Sequence, residues 1–194
     1  MVNLDFKSLL NNMRDYDYSM QDKVFINIPN ANEVLHSALK HILGDKLIWL
    51  NAYNEVASWL ADNRGKGLFC MGDCGLGKTL ICYSIIPALI LHFHRKVVTP
   101  FSMIEVNKNI DKAIKPHLIY LDDVGTEGES IRFGERRQAF PEIVDEAEKK
   151  GKLLIVTTNL NTDELKHRYG DRTLDRLRAI TRSVLFQREQ GSFR

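Results

Sequence analysis

Leu68-Phe69-Cys70-Met71 is a continuous apolar run of strand length. It leads directly into Gly72-Asp73-Cys74-Gly75-Leu76-Gly77, and then into a long apolar helical pattern over 78–92. Three glycines in six residues free the backbone for conformations that a side chain would strain. A run that is apolar at every position must be covered on both faces. Strand, tight glycine turn and helix in succession commit the chain to a layered architecture with helices on a largely parallel sheet, against an all-helical or all-strand fold.

The rest of the sequence repeats that alternation. A helix is expected over 45–63, where Leu47, Leu50, Tyr53, Val56, Trp59 and Leu60 recur every three or four residues. Arg64-Gly65-Lys66-Gly67 ends it. Beyond the glycine turn, strands are predicted over 97–103, 117–121, 153–158 and 183–187. Helices are predicted over 104–114, 139–150, 162–169 and 174–180. The fold class is therefore α/β, with a five-stranded, mainly parallel sheet between helices. Residues 1–30 have weak periodicity, and Ile28-Pro29-Asn30 interrupts any helix. The expected division is an N-terminal arm or partner-binding element over 1–44 and one domain over 45–194.

At 194 residues, 44% hydrophobic and 27% charged, the chain has the length and composition of one ordinary domain. The formal charge of +2 gives too weak a field to imply nucleic acid or membrane as a partner. Its distribution is uneven. Residues 1–62 carry 5 Lys+Arg against 8 Asp+Glu, and residues 164–194 carry 8 against 4, so the C-terminal segment is basic. Cys70, Cys74 and Cys82 lack the paired spacing of a zinc site. With no apolar stretch of signal or membrane-span length, a reducing cytoplasmic setting and no membrane partner are expected.

Gly72-Asp73-Cys74-Gly75-Leu76-Gly77-Lys78-Thr79 matches G-x-x-x-x-G-K-[ST], the phosphate-binding P-loop. Successive N–H groups of the curled backbone can face one anion, and the following helix, entered through Leu80, adds its positive end. Lys78 would place a point charge on the β- and γ-phosphates, and the Thr79 hydroxyl is a hard ligand for Mg²⁺. The bland alternative is a tight turn with an exposed lysine.

Leu118-Ile119-Tyr120-Leu121-Asp122-Asp123 has the form of a Walker B strand. Asp122 would hold Mg²⁺, and Asp123 would orient or deprotonate the attacking water. Alone, a strand ending in acids is often just a strand reaching solvent. Thr157-Thr158-Asn159 follows the next apolar strand, where Asn159 either senses the γ-phosphate and its water or merely makes a turn before the next helix. All three groups fall at carboxyl ends of predicted strands, where ligands of such sheets bind.

In this order the P-loop, Asp122-Asp123-Val124-Gly125-Thr126-Glu127, Thr157-Thr158-Asn159-Leu160 and Tyr169-Gly170-Asp171-Arg172-Thr173-Leu174-Asp175-Arg176-Leu177 resemble the DnaC-type helicase-loader and IstB-like branch of the AAA+ ATPases. The resemblance covers about residues 45 to 194, and Gly191-Ser192-Phe193-Arg194 resembles that branch's terminal element. It implies ATP and Mg²⁺ as cofactors, single-stranded DNA and a replicative helicase or transposase as partners, and an ATP-dependent homo-oligomer. In such an assembly one subunit's arginine completes its neighbour's site. Arg176 matches that arginine, with Arg172 second. A planar guanidinium suits charge spread over γ-phosphoryl oxygens. Arg168, Arg172 and Arg176 also describe a solvated helix face, on which Asp171 and Asp175 pair with them.

Three features depart from the pattern. Asp123 stands where many AAA+ proteins have Glu, which shortens the reach to water and implies slow hydrolysis or help from Glu127. The sequence leaves no room for a helical lid after the fifth strand. An arm of some 44 residues replaces a larger partner-binding region. The expected activity is Mg²⁺-dependent ATP hydrolysis that loads or remodels a replicative helicase on single-stranded DNA. The alternative is an ATP-gated adaptor for a transposase or other DNA-bound assembly. A small-molecule kinase is a third reading, for which no lid or acceptor pocket is visible.

Overall fold

Segments with no polar face have nothing to offer water, and the chain places them where both faces are covered. The computed structural model describes residues 5, 8, 23–126, 130–132 and 135–188, with the backbone alone over 130–132 and 135–137. Glu127 and the terminal residues 189–194 lie outside it. In chain order the elements are α1 (Ala31–Leu43), α2 (Asn51–Ala61), β1 (Gly67–Gly72), and α3, which opens as a π-helical turn (Leu80–Ile85) and continues as α-helix (Ile86–His94). Then come β2 (Thr99–Ser102), α4 (Met103–Lys108), α5 (Ile110–Ile114), β3 (Leu118–Asp122), β4 (Ser130–Arg132) and β5 (Glu135–Arg137). The last are α6 (Ala139–Lys150), β6 (Leu153–Thr158), α7 (Thr162–Tyr169), α8 (Asp171–Ile180) and β7 (Thr181–Phe186).

Five strands form one sheet in the order β2-β3-β6-β1-β7, and every pair is parallel. The expected α/β class is the class found. Successive strand residues point to opposite faces. Accordingly Leu68 and Cys70 of β1, Leu118 and Tyr120 of β3, and Leu153 and Ile155 of β6 join α1, α2 and α3 in one core. Phe69, Ile119, Leu121, Leu154 and Val156 join α4 to α8 in the other. The registers Met71↔Thr158 and Leu121↔Val156 bring the carboxyl ends of β1, β3 and β6 to one edge.

The structure differs from the sequence reading in several places, each with a physical reason. The helix expected over 45–63 is Asn51–Ala61, preceded by a 3₁₀ turn (Gly44–Lys46) and an irregular stretch. Leu47 and Leu50 pack on the same core as the helix, so their spacing imitates helical periodicity. The single helix expected over 104–114 divides at Asn109, whose side chain accepts the Lys112 N–H at 3.0 Å and caps α5. In α3, Pro87 has no N–H and its ring would clash with the carbonyl four residues back. The turn before it widens, and the Ile86 N–H bonds to the Ile81 carbonyl. The antiparallel pair β4–β5 and helix α1 are additional elements.

Ahead of α1, Val24, Ile26 and Ile28 are buried while Lys23, Phe25 and Asn27 are exposed, an extended strap laid on the core of α2 and β1. Residues 24–39 of the expected arm thus share the core of the sheet. One buried side chain clasps the strap. Asn63 accepts the N–H groups of Ile26 (2.8 Å) and Gly65 (3.2 Å), and donates to the carbonyls of Val24 and Lys66 (both 2.9 Å). While the Lys66 carbonyl keeps the Trp59 indole as donor, Asn63→Ala strands the Ile26 N–H and the Val24 carbonyl where water has little access. It is expected to cost about 2–3 kcal/mol, measured as a lower urea midpoint.

Candidate functional site

The loop between β1 and α3 is shaped by close backbone contacts. Gly72 lies at φ 122° with its open side against the Phe186 carbonyl, so any side chain there would displace β7. The Asp73 N–H donates to that same carbonyl at 2.9 Å. Gly77 lies at φ 82°, and a Cβ on it would meet the Tyr53 hydroxyl at 3.1 Å. Asp73, Cys74, Gly75 and Thr79 are exposed, while Gly72, Leu76, Gly77 and Leu80 are half-buried.

Lys78 is only 6% exposed. A buried ammonium must spend its hydrogens on partners. Lys78 Nζ donates to the carbonyls of Gly72 (2.7 Å) and Asp73 (2.8 Å), and to Asn159 Oδ1 (2.9 Å). Its three N–H groups meet three acceptors, so the loop folds around a positive charge. Contact with any further anion requires one of these bonds to be exchanged.

At the tip of β3, Asp122 Oδ1 accepts three hydroxyls: Tyr120, Thr157 at 2.9 Å and Thr79 at 3.3 Å. Burial first, then the bond to Asp122, push the Tyr120 phenol above its ordinary range, so it stays a donor. The 3.3 Å between Thr79 Oγ1 and Asp122 Oδ1 fits two adjacent ligands of one small octahedral ion, which at about 2.1 Å each lie about 3 Å apart. Two hard oxygens suit Mg²⁺. Among the described residues there is no group of three His, Cys, Asp or Glu side chains placed to hold a metal.

Asp123 leaves the strand in the left-handed region at φ 56°, which Asp tolerates better than most residues. Its N–H donates to Thr157 Oγ1 at 3.1 Å, and its carboxylate accepts from Asn159 Nδ2 at 2.8 Å. The Asn159 amide therefore links Lys78 to Asp123. The structure brings together Lys78, Thr79, Asp122, Asp123 and Asn159, from the carboxyl ends of β1, β3 and β6 and the segments that follow them. Capping of α7 falls instead to Asn161, which with Glu164 forms a reciprocal capping box.

Arg176 lies apart from these five on α8, paired with Asp145 and, at 3.2 Å, with Glu148 of α6. Arg172, one turn earlier, is exposed, with no ion pair among the described residues. Cys70 and Cys82 are buried free thiols 3.6 Å apart beneath the loop. The bond to Cys70, then burial, push the Cys82 thiol up. His94 accepts the Asn27 N–H at 3.2 Å, and Trp59 donates to the Lys66 carbonyl at 2.9 Å, both within the fold. Tyr53 and Tyr120 touch the site and carried no sequence signal beyond their apolar spacing.

No family model and no curated protein sequence matches the chain. It is similar to a crystal structure of the DnaC helicase loader, with TM-score 0.61 and 17% identity over 75% of this chain and 96% of that one. It is similar to a crystal structure of DnaI, with TM-score 0.60 and 18% identity over 84% and 96%. A third likeness is to AMPPCP-bound DnaA from Aquifex aeolicus, with TM-score 0.52 and 20% identity over 75% of this chain and 50% of that one. No described helix is long and apolar enough to cross a membrane. At these identities the likeness is one of fold, and the chain has the five-stranded parallel α/β fold that these structures share.

Proposed function

We propose that the chain binds ATP with Mg²⁺, hydrolyses it, and assembles in a nucleotide-dependent manner on single-stranded DNA to help load a replicative helicase. The carrying observation is the hydrogen-bonded chain Lys78–Asn159–Asp123 beside the Thr79–Asp122 pair, which joins three strand ends into one polar site. When bound, Mg²⁺ would lie on Thr79 and Asp122 and supply charge neutralisation at the phosphates. The residues do the rest. Loop N–H groups bind phosphate oxygens, and Lys78 exchanges Asn159 Oδ1 and one loop carbonyl for phosphate oxygens. Asn159 then has its Oδ1 free to hold a water, and the Asp123 carboxylate takes that water's proton.

The DNA and helicase parts rest on two supports: the fold likeness to a helicase loader and to DnaA, and the basic C-terminal segment. In that segment Lys166, Arg168, Arg172 and Arg178 are exposed along α7 and α8. Size analysis with ATP, with ADP and without nucleotide, each with and without single-stranded DNA, tests assembly. The largest species is expected with ATP and DNA together, and one size under all six conditions contradicts the reading.

An arginine completing a neighbour's site would come from α8. Arg176 must first leave two carboxylates of its own chain, whereas Arg172 has no ion pair among the described residues. Mixing Lys78→Ala protein with Arg172→Ala or Arg176→Ala protein should restore part of the ATP turnover for the arginine that acts between subunits. No restoration in either mixture means that no arginine is shared.

A further inference from the structure

The phosphate cradle depends on how its peptides are turned, and three contacts hold the loop. Phe186 holds its first peptide, through the Asp73 N–H at 2.9 Å. Lys78 holds the carbonyls of Gly72 and Asp73. The third contact comes from α2. The Tyr53 hydroxyl, on α2, donates to the Leu76 carbonyl at 3.2 Å and lies over the open side of Gly77. Aromatic neighbours fix the Tyr53 ring: Trp49 meets it edge-on with centroids 5.3 Å apart, and Phe186 lies at 6.1 Å. His36 of α1 packs on Trp49 at 5.2 Å, so the aromatic series runs from α1 to the loop.

We propose that Tyr53 is a positioning residue of the phosphate cradle, acting through the Leu76–Gly77 peptide. In a planar trans peptide the C=O and the following N–H point in opposite directions. With the Leu76 carbonyl held toward α2, the Gly77 N–H is turned away from α2. A peptide already turned needs no reorientation when an anion arrives, and preorganised donors bind more tightly for that reason. Without the hydroxyl, the glycine at 77 leaves this peptide free to rotate. This inference rests on the nucleotide-binding reading above and adds a residue that the motif does not contain.

Tyr53→Phe keeps the ring and its packing and removes only the hydroxyl. The probes are Mg²⁺–ATP and Mg²⁺–tripolyphosphate, the latter having no base or sugar, each titrated against wild type, Tyr53→Phe and Lys78→Ala. The expected result is that Tyr53→Phe binds both probes about threefold to tenfold more weakly, by the same factor, and melts with the wild type. Lys78→Ala should bind both about a hundredfold or more weakly. Weaker binding of ATP alone would make Tyr53 a base contact and overturn the proposal, as would unchanged binding of both probes or an equal loss explained by a lowered melting point. If Lys78→Ala binds both like wild type, the cradle reading fails along with it. If Lys78→Ala loses binding and Tyr53→Phe does not, only the Tyr53 proposal fails.

Discussion

Lys78→Ala is expected to weaken ATP binding about a hundredfold or more, with far-UV circular dichroism unchanged. A charge-assisted hydrogen bond contributes about 1.5–3 kcal/mol, and this ammonium is placed to give two phosphates such bonds from a site shielded from water. The alanine also removes the donor that ties Gly72 and Asp73 to the far side of the loop. The loop then loses both its charge and its curl. Equilibrium titration with a fluorescent ATP analogue measures the effect, and wild-type affinity in the variant contradicts the placement of phosphate at the loop.

Asp122→Asn is expected to separate binding from turnover. The amide oxygen can still accept from Tyr120, Thr157 and Thr79, so the tip of β3 keeps its shape. What it lacks is the negative charge that makes Thr79 and position 122 a cation site. ATP affinity should stay within about threefold, while Mg²⁺-dependent hydrolysis should fall about a hundredfold to a thousandfold, the range for losing one group that stabilises charge in the transition state. Steady-state phosphate release against ATP concentration gives both quantities. A binding loss as large as that in Lys78→Ala would mean that Asp122 holds the loop rather than an ion.

Much of this site is legible in the sequence because each part sits at the end of a short apolar strand. β6 needs no correction: six residues apolar or Thr, buried at every position, leave no other element to form. Once three such strands are parallel and in register, their polar tips must meet, and Lys78, Asp122, Asp123 and Asn159 do. What escapes the sequence depends on partners remote along the chain. Asn63 bonds Ile26, 37 residues away, and Tyr53 bonds Leu76, 23 residues away, and neither pairing leaves a periodic trace. Helix α1 is hidden because Pro29-Asn30 reads as an interruption, yet Asn30 in the left-handed region at φ 50° starts the helix. Three-residue strands such as β4 and β5 are too short for alternation to show. The two ion pairs of Arg176 were equally invisible, since the acids come from α6 rather than from its own helix.

The central claim is that side chains at and just beyond the carboxyl ends of β1, β3 and β6 act on one nucleotide. A crystal structure with Mg²⁺ and a non-hydrolysable ATP analogue tests it most directly. The account predicts the phosphates within the 72–79 loop, the ion bound to Thr79 Oγ1 and bonded directly or through water to Asp122, and Lys78 Nζ moved from at least one present acceptor to a phosphate oxygen. An analogue bound away from that loop, or an ion that touches neither Thr79 nor the shell of Asp122, would contradict it.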